Sequence, residues 1–223
     1  WPWTPAPLCR RLADRLAVLA ADVLRVEAAR LRVAIVAARV TADVAGAAAA
    51  LCGGGRARSL SVSAGRGGAA LCRALRSRFG VAAMADPTPE QLGETDVYLV
   101  FDAPAGGVRL PARAGAAVLL LGGDAGAGWV RVPPGNLVVS GAVFLPPARL
   151  AADWPPGFDD GALLAALAAA GALSPAEVRI RRLLPATGET GGAARDGALL
   201  PRSGGKKQKF GLWVAGATHI GKN

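Results

Sequence analysis

Residues 31–51 read Leu-Arg-Val-Ala-Ile-Val-Ala-Ala-Arg-Val-Thr-Ala-Asp-Val-Ala-Gly-Ala-Ala-Ala-Ala-Leu. A short β-branched run enters a turn and leaves at once as an alanine-rich helix. A strand that runs straight into a helix opens a crossover, and a crossover connects parallel strands. The pattern predicts a buried strand over Val33–Ala37 and a helix from about Ala42 to Cys52. Gly53-Gly54-Gly55 then ends that helix, as a glycine C-cap does.

The alternation continues downstream. Ser59–Ser63 is a second strand, and Gly65-Arg66-Gly67-Gly68 a tight turn into a helix over Ala69–Phe79, closed by Gly80. Val81–Met84 is a third, short strand. Pro87-Thr88-Pro89-Glu90-Gln91-Leu92 starts a short helix, with Thr88 as its cap and Gln91 three residues on. Asp96–Phe101 and Ala116–Leu121 are the fourth and fifth strands, and Asn136–Ser140 is a candidate sixth. The expected fold class is α/β, three-layered, a mostly parallel sheet of five to six strands with helices on both faces. Right-handed crossovers place the carboxyl ends of those strands along one edge.

The flanks differ in character. Leu8, Leu12, Leu16, Leu19, Val23 and Val26 recur at three- and four-residue steps, which predicts one helix over 5–30 that packs on its own domain or on a partner. Beyond Pro146, Trp154-Pro155-Pro156-Gly157 is a rigid turn and Asp160–Ala170 a helix. Ser174-Pro175-Ala176-Glu177 starts another short helix, and Val178–Leu184 is an edge strand or a terminal helix. From Pro185 to Gly205 the chain is glycine-rich and poor in core residues, as a flexible linker is. The expected organisation is an N-terminal helix (1–30), an α/β domain (31–145), a helical extension (146–184) and a flexible basic tail (185–223).

Hydrophobic residues make up 52% of the 223 and aromatics only 5%, so a sizeable core is expected from Ala, Val and Leu. Half of the net charge of +10 comes from residues 195–223, where Arg195, Arg202, Lys206, Lys207, Lys209 and Lys222 face only Asp196. Contact of residues 195–223 with nucleic acid or an acidic partner would rest on electrostatics alone, since no RRM, KH or zinc pattern accompanies the charge. Cys9, Cys52 and Cys72 have neither zinc nor disulfide spacing and read as small buried hydrophobes of a reducing, cytoplasmic compartment. No apolar run reaches the roughly 18 residues that span a bilayer, and Trp-Pro-Trp-Thr-Pro lacks the form of a signal peptide. The chain opens without Met, which predicts processing or a fragment.

The first crossover resembles the NAD(P)-binding Rossmann family, in the style of the nucleotide domains of shikimate dehydrogenase and glutamyl-tRNA reductase. The resemblance covers about residues 31–141 and lies in element order. Laid on G-x-G-x-x-G, the matching positions are Ala37, Arg39 and Ala42, with Ala38 between the first two. The second glycine of that motif lets backbone N–H groups reach a pyrophosphate, and an arginine there obstructs the approach. No Asp or Glu follows the second strand to hold a ribose; Ser63 and Arg66 stand there instead. An Arg at that place resembles the NADP-type arrangement, so NADP is the dinucleotide the resemblance implies.

The second turn has chemistry of its own. Gly65, Arg66 and Gly67 lie between a strand and a helix N-terminus, where free N–H groups and the helix dipole favour an anion. A plain glycine-requiring turn is the alternative. Catalytic groups are scarce: the single histidine, His219, lies in the tail. Of the acidic residues near predicted strand ends (Asp86, Asp96, Asp102 and Asp124), Asp102 and Asp124 follow the fourth and fifth strands, and Gly122 sits beside the latter. Any small-molecule site is expected at the carboxyl edge, around Ala37, Ala38, Arg39, Ala42, Ser63, Gly65, Arg66, Gly67, Asp102 and Gly122, with no metal. Two functions are open: a domain that binds a nucleotide or other phosphorylated small molecule without a complete catalytic set, and a non-enzymatic interaction protein acting through its tail.

Overall fold

The computed structural model describes residues 5–102, 107–122, 130–151, 153–155 and 159–186. Asp124, half of the Trp154–Gly157 turn, His219 and the basic tail beyond residue 186 lie outside them.

The chain begins with α1 (Ala6–Arg11) and α2 (Ala13–Leu24), then β1 (Arg32–Arg39), α3 (Ala42–Gly53), β2 (Ser59–Arg66), α4 (Gly68–Phe79) and β3 (Ala82–Ala85). It continues through α5 (Pro89–Gly93), β4 (Val97–Val100), β5 (Val108–Arg109), β6 (Ala117–Leu120), β7 (Val130–Arg131) and β8 (Leu137–Leu145). The short α6 (Ala148–Ala151), α7 (Asp160–Ala169), a 3₁₀ turn (Pro175–Glu177) and β9 (Arg179–Pro185) complete it. Seven strands form one sheet in the order β3-β2-β1-β4-β6-β8-β9, parallel except where β9 pairs antiparallel with β8. The sheet therefore has one strand more than the largest count expected. The region 178–184, open between strand and helix from sequence, is the edge strand β9.

The strands' composition explains their place. A parallel strand covered on both faces reads as a continuous apolar run, and every residue of β4 (Val-Tyr-Leu-Val) and β6 (Ala-Val-Leu-Leu) is buried. One face, through Val33, Ile35, Leu60, Val62, Leu99 and Leu119, packs against α1, α2, α3, α4 and α7. The other, through Ala34, Val36, Tyr98, Val100 and Val118, is covered differently. It carries the five-residue α5 and a small two-stranded parallel ribbon of β5 and β7, which the sequence did not announce. Tyr98 is fully buried there, and its hydroxyl donates to the Leu92 carbonyl at the end of α5. The capping box read at Thr88 and Gln91 is formed.

One expectation is corrected. Residues 5–30 are not a single helix. The helix is interrupted at Leu12 (φ −104°, ψ 15°) and ends at Leu24, because Arg25 takes the left-handed conformation at φ 58°. Leu8, Leu12 and Leu16 are buried against the sheet, whereas Val23, also on the expected apolar stripe, is 58% exposed. Other boundaries also move outward, and β1 runs from Arg32 to Arg39 instead of Val33 to Ala37. β2 runs on to Arg66, so the turn before α4 shrinks to Gly67, and β8 runs on from the expected Ser140 to Leu145 through two irregularities in its pairing with β9.

Candidate carboxyl-edge site

When the ribbon strands are set aside, the sheet order is the doubly wound one, with its direction of growth reversing between β1 and β4. In open α/β sheets that reversal opens a crevice beyond the strands' carboxyl ends. The ends of β1, β2, β4 and β6 bring Ala38, Arg39, Gly65, Arg66, Asp102 and Gly122 to this edge.

At the first crossover Ala37 is buried as the last core residue of β1, and Ala42 is the first residue of α3. Between them the backbone donors are engaged. The Ala38 N–H donates to Asp102 Oδ1 at 2.8 Å, joining the ends of β1 and β4 across the switch point. The Val40 N–H donates to the Arg66 carbonyl at 2.9 Å. The Val44 N–H, in the first turn of α3, donates to Thr41 Oγ1 at 3.3 Å, so Thr41 is the helix N-cap. Asp43 adds a carboxylate to the same turn.

The second crossover is built on glycine. Gly67 is the N-cap of α4 at φ +88°, with no side-chain capping bond and no acidic residue in the first turn. A Cβ on Gly67 would stand 3.2 Å from the Val40 Cβ, and one on Gly65 would stand 3.1 Å from the Ala38 carbonyl oxygen. The two turns therefore lie against each other. Arg39 and Arg66 are register partners at the ends of β1 and β2. Register partners in adjacent strands share a face of the sheet, and both arginines are exposed. Among the described residues neither forms a salt bridge.

Ser63 is not brought to the edge. It lies inside β2 in register with Val36, half-buried. Gly122 stands beyond β6, where a Cβ would meet the Phe101 carbonyl oxygen at 3.2 Å. Sequence reasoning missed Arg10. From α1 its guanidinium donates to the Leu121 carbonyl at 3.2 Å and the Phe101 carbonyl at 3.3 Å, tying the ends of β6 and β4. One charged residue among several on an amphipathic helix gives no sign of such a role.

The thiols are poor nucleophiles. Burial pushes Cys9 up to about 12, and it raises Cys52 and Cys72 above the ordinary thiol value as well. The nucleophile is the thiolate, which burial disfavours. Among the described residues no three His, Cys, Asp or Glu side chains are grouped to hold a metal ion, and no helix is long and apolar enough to cross a membrane. A groove of about 360 Å³ runs between α2 and β9, lined by Arg15, Val18, Leu19, Asp22, Arg56 and Ile180, none of which belongs to the carboxyl edge.

No protein-family model matches the chain, and no curated protein matches it. Among solved structures it is similar to the Δ1-pyrroline-2-carboxylate reductase of Thermococcus litoralis in complex with NADH and L-proline. That likeness has 11% identity and a TM-score of 0.38, over 60% of this chain and 37% of that one. It is also similar to a probable ornithine cyclodeaminase from Bordetella pertussis Tohama I, with 23% identity and a TM-score of 0.37, over 51% of this chain and 36% of that one. The likeness thus spans little more than a third of either protein. The strand order and its switch point make the fold Rossmann-like.

Proposed function

We propose that the chain is a Rossmann-like domain that binds a nucleotide or another phosphorylated small molecule at the carboxyl edge of β1 and β2, with Arg39 and Arg66 as its charge partners. The reading assigns binding and gives no residue a catalytic role. The observation that carries it is the in-register pair of exposed arginines beside the uncapped start of α4. Like charges placed opposite each other across strands destabilise a sheet. An anion seated between the two guanidiniums relieves that repulsion and takes up their fork-like donors.

Calorimetric titration of the full chain with inorganic phosphate and adenosine 2′-monophosphate tests this. Binding is expected to weaken at least about tenfold in Arg39→Ala/Arg66→Ala, because hydrogen bonds to charged groups contribute roughly 1.5–3 kcal/mol each. Equal affinity in the double variant would move the site elsewhere, and no heat at millimolar ligand in a folded sample would end the proposal.

A further inference from the structure

We infer that the β1–α3 turn is closed to a pyrophosphate, so that a nucleotide is held at the β2 end by a phosphate monoester and not by the bridge of a dinucleotide. The monoester half rests on the function proposed above; the closed turn stands without it.

A Rossmann turn holds a pyrophosphate by offering unengaged backbone N–H groups at a place where the chain carries no side chain. This chain falls short of the first condition and fails the second. Three donors of the turn and the following helix start already serve internal acceptors: Ala38 on Asp102, Val40 on the Arg66 carbonyl, and Val44 on Thr41. Arg39 places a Cβ where the second glycine of the motif belongs. Two carboxylates also offset the charge of Arg39 at this turn. Asp102 lies across the switch point and Asp43 in the first turn of α3, so two carboxylates stand where the bridge would bring more negative charge. At the second turn there is no capping side chain and no acid, and Arg66 stands directly before it. The residues present therefore do not fit a dinucleotide in the usual pose, while they do fit a single phosphate group.

The test has two parts, both on the full chain. First, NAD, NADP and adenosine 2′-monophosphate are titrated by calorimetry. NAD is expected to give no heat at millimolar concentration. NADP and adenosine 2′-monophosphate should bind within about threefold of one another, because a bridge that makes no contact adds nothing to the binding free energy. Micromolar NAD, or NADP bound more than about tenfold more tightly than the monophosphate, would show an open cradle and overturn the inference. Silence from all three ligands would support the closed turn and overturn the proposed function.

Second, amide exchange at Ala38 is followed by NMR in the wild type, Asp102→Asn and Asp102→Ala. Asn keeps an oxygen acceptor and Ala removes it, so exchange should stay slow in the first variant and quicken in the second. Equal rates in the wild type and Asp102→Ala would show that the donor is free, and would overturn the inference on structural grounds whatever binds.

Discussion

The two crossover turns of this sheet do the same topological work with opposite means. The β1–α3 turn is held by side chains: Thr41 caps the helix, Asp102 takes the Ala38 amide from another strand, and Asp43 faces the helix dipole. The β2–α4 turn is held by backbone conformation: Gly67 sits at φ +88°, no side chain caps α4, and the charge beside it is Arg66. Both join adjacent parallel strands to helices of twelve residues on the same face. On the proposed function, an affinity for anions is not a property of a strand-turn-helix unit as such. It depends on whether the helix's first N–H groups are already satisfied from within the chain. A first turn that its own side chains satisfy gains stability and loses the donors a ligand would need.

That contrast predicts different sensitivities in the two turns. The largest effect is expected at Gly67. Gly67→Ala puts a Cβ at a positive φ and within 3.2 Å of the Val40 Cβ. It should lower stability by ~1–3 kcal/mol, the cost of a residue forced into a sparse backbone region. Urea unfolding measures it, and a loss under about 0.5 kcal/mol would show that Val40 gives way and that the second turn does not depend on glycine.

Next comes Asp102. Asp102→Ala strips the Ala38 amide of its partner and should cost about 1–2 kcal/mol, at the lower end because the pair is solvent-facing. Asp102→Asn should recover most of it; a deficit equal to that of the alanine variant would mean that the carboxylate's charge, and not its acceptor oxygen, holds β1 to β4. Thr41→Ala follows at ~1 kcal/mol, the usual loss of a threonine N-cap. If Thr41→Ala were neutral by urea unfolding, the side-chain account of the first turn would be reduced to Asp102.

How much of this was legible in the sequence divides along range. Elements set by local chemistry were legible: α3 up to its glycines, α4 up to Gly80, and the Thr88 box. The break after Leu24 was not, because nothing in an arginine announces a left-handed backbone at Arg25. The ribbon escaped notice because β5 and β7 are two residues each, too short for any periodicity. A usable signal was present at β2, where Ser59, Ser61 and Ser63 alternate with Leu60, Val62 and Ala64. That alternation marks a strand with only one face fully buried, which fits the sparse cover of the sheet's second face. At the candidate site, Arg39 and Arg66 were legible because each stands within a few residues of the end of its predicted strand, in the turn toward the helix. The Ala38–Asp102 bond joins residues 64 apart, and the Arg10 bonds span 91 and 111. Such pairings exist only once the strand order does.

The smallest expected change in stability is the one that bears most directly on function. Arg39→Ala and Arg66→Ala should each leave the unfolding free energy within about 0.5 kcal/mol of the wild type, as exposed substitutions away from structural features do. The reasoning is local. Both side chains are exposed, neither has a salt-bridge partner among the described residues, and each stands opposite a like charge. What removal costs in stem packing is offset by relief of repulsion, ~0.2–1 kcal/mol for a cross-strand pair. In low salt the single variants should gain slightly and in high salt the gain should vanish, since the Debye length shrinks from about 10 Å at 0.1 M to 3 Å at 1 M. The work of Arg66 in the fold is done by its backbone carbonyl, which accepts from Val40 and survives the substitution. Urea unfolding at two salt concentrations checks this. A loss above about 1 kcal/mol in either variant would mean that the arginine supports the fold, and the pair would then no longer stand out as charge held ready for a ligand.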